Sequence, residues 1–377
     1  MFGKKFRELF ALSSLLQLIL VLGYDNRSIF SSAMSLASAS SPSTCAVVGV
    51  GVLGTSLCKQ LLEDPDLKDL KGKKVLDVWF NSTFELESFL TLMCAFVTNI
   101  SVTGITKSTK RHEDIRKQVL GGNDALSERF ELLTAEECEG KGNQKFNHCV
   151  FCAPPSGFED YPAAVKESIE NLWMGNTEEN STGGFVFTSS GGIFGSGGDE
   201  VDVSPIVTES SPLPTPTPRI ERLINAEKEV LKYKGGSVMR LAGLYLLDRG
   251  AHNFWLGDTA ELTKEEISGR SDGVINLLHY DDAAGSVVAA LKKTISNTDD
   301  NSEGGKVFLV SDGHPLTRLQ ICESSLKNKR YADRTIPKFK GSKESGDPIG
   351  KIYDGSFTNE YLNWKPKYES FDKFMSS

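Results

Sequence analysis

Three glycines carry the strongest chemical signal in the chain. Gly49, Gly51 and Gly54 stand at the spacing G-x-G-x-x-G inside Thr44–Gly54, which reads T-C-A-V-V-G-V-G-V-L-G. The apolar run Ala46–Val48 leads into them, and Leu57, Leu61 and Leu62 follow at helical spacing on one side. A glycine triad that closes a strand and opens a helix is the setting in which this spacing binds a dinucleotide. Each glycine has its own reason. Gly49 permits a tight turn, Gly51 has no Cβ to hold a pyrophosphate away, and Gly54 lets the helix pack close to the strand. Val52 and Leu53 open the helix, where free N–H groups and a partial positive charge face the anion.

The elements that position such a turn follow along the chain. Strand patterns are expected at 100–106, 130–133, 148–152, 184–188 and 237–241, then at 274–279 and 306–310. Helical patterns are expected at 161–173, 219–232 and 281–292. Strands alternating with helices predict an α/β protein whose parallel sheet is covered on both faces. Residues 44–247 are expected to form the dinucleotide-binding domain. Residues 248–377 are expected to form a smaller, mixed lobe, with 273–292 returning to the sheet. Pro212–Pro218, P-L-P-T-P-T-P, reads as a stiff extended spacer.

In a parallel sheet the ligand lies over the carboxyl ends of the strands, and the remaining chemical groups fall there. Thr106 and Lys107 end the second strand, with Lys110 and Arg111 close behind. A free ribose 2′-OH is usually held by an acidic residue about 20 residues past the glycines. Basic residues stand there instead, which suits a 2′-phosphate and so NADP(H) rather than NAD(H). Ala153 and Pro154 follow the fourth strand and can wall a flat ligand without seeking ladder bonds. Ser189 and Ser190 follow the fifth. A hydroxyl there can donate to a substrate oxygen or cap the next turn, and the sequence leaves both readings open.

Composition narrows the partners. The 377 residues carry a net charge of −8 and a pI near 5.4, which argues against broad nucleic-acid binding. Seven cysteines over a long chain do not form a disulfide framework. Cys149 and Cys152 make a C-x-x-C, but apolar Val150, Phe151 and Ala153 surround them, so buried thiols are expected. No metal site is expected. Residues 1–43 read as a targeting segment: Lys4, Lys5 and Arg7 precede the interrupted apolar run Leu9–Leu22 and a small-residue stretch, Ala37–Ala39. That run is too short for a stable membrane span. A plastid destination is expected, with the secretory pathway, or the cytoplasm if translation begins at Met34, as alternatives. Residues 63–100 exceed the usual return to a second strand, about 6 residues. They read as an insertion or as a gene-model artefact.

The ordered motifs resemble the short-chain dehydrogenase/reductase superfamily, in its extended and atypical branch of sugar-nucleotide epimerase/dehydratase-like proteins. The pieces are V-V-G-V-G-V-L-G, V-T-G-I-T-K, F-C-A-P-P-S-G-F-E-D-Y, F-V-F-T-S-S-G-G-I-F-G and V-M-R-L-A-G-L-Y, running from Thr44 toward Gln320. The resemblance implies a Rossmann-type doubly wound sheet and an NAD(P)-dependent oxidoreductase or epimerase acting on a sugar nucleotide or small carbonyl. It places Ser190 at the family's catalytic Ser/Thr. The family's Tyr-x-x-x-Lys is missing: counted back from Ala226-Glu227, those positions hold Arg219 and Leu223. Tyr161 and Tyr245 are the candidate substitutes, and Arg219 and Arg240 the candidate substrate cations. The partner is then a small molecule, and a homodimer is one expectation for the assembly. Loss of the Tyr/Lys pair keeps a second reading open, a non-catalytic NADP(H)-binding redox sensor or scaffold.

Overall fold

A computed structural model describes residues 43–65, 67, 100–142, 144–175, 183–195, 203–257, 266–296 and 304–377. The targeting segment expected at 1–43 lies outside them apart from Ser43, as does most of the stretch 63–100.

The apolar run before the glycines forms β1 (Thr44–Val48), and the helix after them is α1 (Val52–Glu63). The chain continues through β2 (Ser101–Thr106), α2 (His112–Leu120), β3 (Phe130–Thr134), α3 (Ala135–Gly140), β4 (His148–Phe151), α4 (Tyr161–Leu172) and β5 (Phe185–Ser190). A short β6 (Ile206–Val207) precedes α5 (Pro218–Leu231) and β7 (Gly236–Leu241). Pro218 sits where a helix needs no N–H, and Thr217 caps it from outside. The proline spacer therefore ends by starting the helix.

Seven strands make one parallel sheet in the order β12-β7-β5-β4-β1-β2-β3, where β12 is Lys306–Val310. Strand order reverses between β1 and β4, the switch point where doubly wound sheets open a crevice for ligands. Side-chain alternation puts neighbours on opposite faces. Val47, Val150, Val186 and Met239 join one core with Leu57 and Leu61 of α1 and Ile115 of α2. Ala46, Phe151, Phe187 and Val238 join the other with Val165 and Ile169 of α4 and Val230 of α5.

Past β7 the chain forms β8 (Gly243–Tyr245), α6 (Ala251–Leu256), β9 (Glu266–Arg270), β10 (Val274–Ile275), β11 (Leu277–His279) and α7 (Tyr280–Ser296). After β12 come β13 (Leu316–Thr317), α8 (Arg318–Leu326), β14 (Lys338–Gly341), β15 (Ile352–Tyr353), α9 (Ser356–Leu362) and α10 (Phe371–Ser376). The expectation that 273–292 adds to the sheet needs correction. β10 pairs with β13 and β11 with β8, both outside the seven-stranded sheet. The segment serves that sheet only through α7, whose Ala283, Val287 and Leu291 pack into the same core as α1. A third core, built on Tyr245, Leu277, Ile321, Tyr331 and Phe371, gathers the C-terminal elements. No helix among the described residues is long and apolar enough to cross a membrane.

Candidate functional site

The three glycines divide the work as their spacing predicts. Gly49 has φ +91°, and a Cβ there would lie 2.5 Å from both Cα and N of Ala153. Its own N–H donates to the Ile105 carbonyl at 2.9 Å. Gly54 is closed as well, since a Cβ would meet the Gly49 carbonyl oxygen at 2.5 Å. Gly51 is different: nothing lies within 4 Å of a Cβ built on it. Two glycines thus hold the turn tight, and the third leaves open space at the helix N-terminus. Among the described residues no side chain caps that terminus and its own first turn carries no acidic residue, which leaves the N–H groups of Val52 and Leu53 suited to an anion.

The loop after β4 walls this turn. Ala153 backs Gly49, and Pro154 is extended before a short 3-10 turn at Pro155–Gly157. Tyr161 donates its phenol to the Ala153 carbonyl at 2.9 Å. Arg222, a residue with no motif to mark it, donates Nη2 to the carbonyls of Phe158 (2.8 Å) and Pro155 (3.2 Å). Tyr161 was a candidate for the reacting hydroxyl. It is fully buried, and burial raises its pKa, so it fixes the loop instead. Tyr161→Phe is expected to lower stability by about 1 kcal/mol, read as a lower urea midpoint; an unchanged midpoint would contradict this role.

At the end of β2 the Thr106 hydroxyl donates to the Ser108 carbonyl at 3.1 Å and lies 2.7 Å from His112 Nε2. Thr106 therefore shapes the loop rather than presenting a free hydroxyl. Lys107, Lys110 and Arg111 are all exposed beyond it, leaving three cations at the strand end.

The end of β5 separates its two serines. Ser189 is buried and donates to Glu227 Oε1 at 2.6 Å. Strand alternation aims it at α5, so it does not line the cofactor crevice as expected. Arg240 stands directly across from Ser189 on β7. Its guanidinium pairs with Glu227 (Nη2 to Oε2, 2.8 Å), donates to the Glu209 carbonyl at 3.1 Å and stacks 5.1 Å from the Phe194 ring centre. Arg240 is thus a buried structural cation, which corrects its assignment to substrate. Ser190 is exposed; its Oγ accepts from Gly192 N at 3.1 Å. The hydroxyl caps the turn and still has a proton to donate, so the two readings of this serine coexist.

The missing pair is accounted for by packing. Arg219 is exposed on the first turn of α5, without a partner among the described residues, while Leu223 packs into the core with Val165 and Phe187. Tyr245 does not replace them. It is fully buried with Phe371 at 5.0 Å and His279 at 5.4 Å between ring centres, and burial raises its pKa. The thiols are also accounted for. Cys149 is fully buried, and burial pushes Cys152 up to about 12, so both stay protonated and unreactive.

Two residues that no sequence signal marked reach the turn at Gly191–Phe194, which follows Ser190. Tyr353 of β15 lies against Gly191, and Lys351 donates its ammonium to the Phe194 carbonyl. Both come from the C-terminal segment, more than a hundred residues from Ser190, and only the tertiary fold brings them there.

Comparison with known proteins shows a shared fold. No family model matches the chain. Over 71 residues it is 31% identical to a UDP-glucose 4-epimerase of Lactobacillus helveticus, a match covering 19% of this chain and 21% of that enzyme. Among solved structures, a UDP-glucuronic acid 4-epimerase from Bacillus cereus in complex with NAD superposes with TM-score 0.59 at 16% identity, covering 88% of this chain and 96% of the other. The UDP-Glc/GlcNAc 4-epimerase of Campylobacter jejuni gives 0.58 at 15%, covering 89% and 97%. The chain thus shares the Rossmann-type fold of these epimerase structures, and it spans less than a third of the length of the curated epimerases it matches in sequence.

Proposed function

We propose that the protein binds a nicotinamide dinucleotide at the Gly49–Gly54 turn and uses it in oxidoreductase or epimerase chemistry on a small substrate of the sugar-nucleotide class. The observation that carries this reading is the contrast within the triad. Gly49 and Gly54 are packed shut while Gly51 is open, which is the shape a pyrophosphate needs over a helix N-terminus. The N–H groups of Val52 and Leu53 would face the pyrophosphate, and Ala153 and Pro154 would wall the adenosine half. When bound, the dinucleotide supplies hydride acceptance or donation. Ser190, exposed at the end of β5, supplies a hydroxyl proton to the substrate oxygen.

NADP(H) is the preferred form in this reading. The solved neighbour from Bacillus cereus holds NAD, but here Lys107, Lys110 and Arg111 stand exposed after β2. A cation favours the 2′-phosphate through charge-assisted hydrogen bonds. Lys107→Ala is expected to weaken NADPH binding about tenfold and to leave NADH binding unchanged. Equal losses for both, or tighter NADH than NADPH binding by the wild type, would count against the preference.

A second reading, a dinucleotide-binding sensor or scaffold without turnover, is favoured by Arg219 and Leu223 standing where a tyrosine and lysine would act. Assaying hydride exchange across a panel of sugar nucleotides and small carbonyls separates the two. Turnover on any of them supports the enzyme; tight dinucleotide binding with none supports the sensor.

A further inference from the structure

The Gly191–Phe194 turn that follows Ser190 is gripped by the C-terminal segment in an unusual way. The backbone at Tyr353 is held on both edges. On one, Ile352 N donates to the Pro205 carbonyl at 3.0 Å and Asp354 N to the Val207 carbonyl at 2.9 Å. On the other, the buried Asn276 amide acts as a strand partner: Nδ2 donates to the Lys351 carbonyl at 2.8 Å and Oδ1 accepts from Tyr353 N at 2.9 Å. Lys351 is 6% exposed, and its ammonium on the Phe194 carbonyl ties the segment to the turn.

The phenol of Tyr353 projects from this mount onto Gly191. A Cβ at residue 191 would lie 2.5 Å from the ring and 2.7 Å from the hydroxyl, so this approach requires glycine there. The ring sits 6.1 Å from that of Phe194 and packs against the core that holds Val186. Yet the Tyr353 hydroxyl has no hydrogen-bond partner among the described residues. Unlike the Tyr245 hydroxyl, which is sealed in the interior without a partner among those residues, it belongs to a half-buried residue. A rigid backbone, a packed ring and a hydroxyl against Gly191, the residue after Ser190, without a hydrogen-bond partner among the described residues, fit a group kept for a ligand.

We infer that Tyr353 provides the proton-transfer hydroxyl of this site, in place of the tyrosine that Arg219 displaces. The inference rests on the dinucleotide reading above. In the reducing direction the Tyr353 hydroxyl gives its proton to the substrate carbonyl oxygen as hydride reaches the carbonyl carbon from the reduced dinucleotide, and a phenolate remains. In the oxidising direction that phenolate takes the alcohol proton as hydride leaves the same carbon for the oxidised dinucleotide. Ser190 donates to the same oxygen, and Asn276 and Lys351 are positioning residues. Burial pushes the phenol up to about 12, so it holds its proton at neutral pH and is poised as a proton donor.

The test uses the full chain labelled with tyrosine carrying 13C at Cζ; the resonance lost in Tyr353→Phe belongs to Tyr353. Saturating oxidised dinucleotide, whose nicotinamide ring is cationic, is expected to raise the ionisation constant of this phenol at least about tenfold. Reduced dinucleotide, with a neutral ring, is expected not to. Tyr353→Phe should keep the wild-type Tm and bind dinucleotide within about twofold, while hydride exchange falls about a hundredfold or more. Bound oxidised dinucleotide that leaves the Tyr353 titration unmoved overturns the inference and leaves the cofactor reading standing. A folded wild type that binds neither dinucleotide overturns the cofactor reading, and the role of Tyr353 with it.

Discussion

Glu227→Ala is expected to destabilise the protein by about 3–5 kcal/mol, because it strands a guanidinium in the interior. Glu227 and Arg240 are both almost completely buried, and Arg240 Nη2 meets Glu227 Oε2 at 2.8 Å, with Nε at 3.3 Å from both carboxylate oxygens. An arginine cannot shed its charge to escape an apolar setting. The same carboxylate accepts from Ser189 at 2.6 Å, so one truncation loosens β5, α5 and β7 together. The damage falls next to Ser190, whose backbone is continuous with Ser189. Replacing both partners, Glu227→Gln with Arg240→Met, is expected to recover much of the loss, since the cost lies in the unpaired charge rather than in the pair's net worth. Urea unfolding of Glu227→Ala and of the double variant decides it. A Glu227→Ala loss below about 1 kcal/mol would mean that the pair behaves as a solvated surface bridge.

The second large effect is a contrast between neighbouring glycines. Gly49→Ala meets two penalties at once: a Cβ at φ +91° and a contact 2.5 Å from the Ala153 backbone. Strain at such an angle and overpacking each cost about 1–3 kcal/mol, so a loss of about 2–5 kcal/mol in unfolding free energy is expected. Gly51→Val meets neither. Gly51 is exposed, its φ of −83° suits any residue, and a Cβ on it finds open space. Its stability is expected to stay within about 0.5 kcal/mol of wild type. Its dinucleotide affinity is expected to fall about a hundredfold, equivalent to about 2.7 kcal/mol, because the branched side chain fills the place of the pyrophosphate. Chemical unfolding and dinucleotide titration on the same two proteins read both quantities. Equal destabilisation, or unimpaired binding by Gly51→Val, would contradict the division of labour.

Local features of the site were legible in the chain. The glycine turn is a short-range object: its strand, its sharp turn and its helix lie within about twenty residues, so spacing and periodicity suffice to place it. Ser190 was legible for the same reason, as the last residue of an apolar strand. What the sequence could not show is which element each side chain meets. Ser189 and Ser190 differ by one position, and strand alternation alone sends the first into Glu227 and leaves the second exposed. Arg240 looked like a substrate cation until the β5–β7 register set it across from Ser189. Tyr161 and Tyr245 had plausible addresses at element ends, yet both are fully buried. Tyr353 had no motif at all. Its position depends on β15 pairing with β6 and on the Asn276 amide, contacts that span 77 residues or more. Strands do form at 274–279, as β10 and β11, but they pair with β13 and β8 outside the main sheet, since an apolar run predicts a strand but not the sheet it joins.

The central claim is that the Gly49–Gly54 turn holds a nicotinamide dinucleotide. Calorimetric titration of the folded wild-type protein with NADPH and then with NADH tests it most directly. Saturable binding of one dinucleotide per chain is expected, tighter for NADPH on the proposed reading, and abolished or greatly weakened in a folded Gly51→Val protein. A folded wild type that binds neither dinucleotide would contradict it.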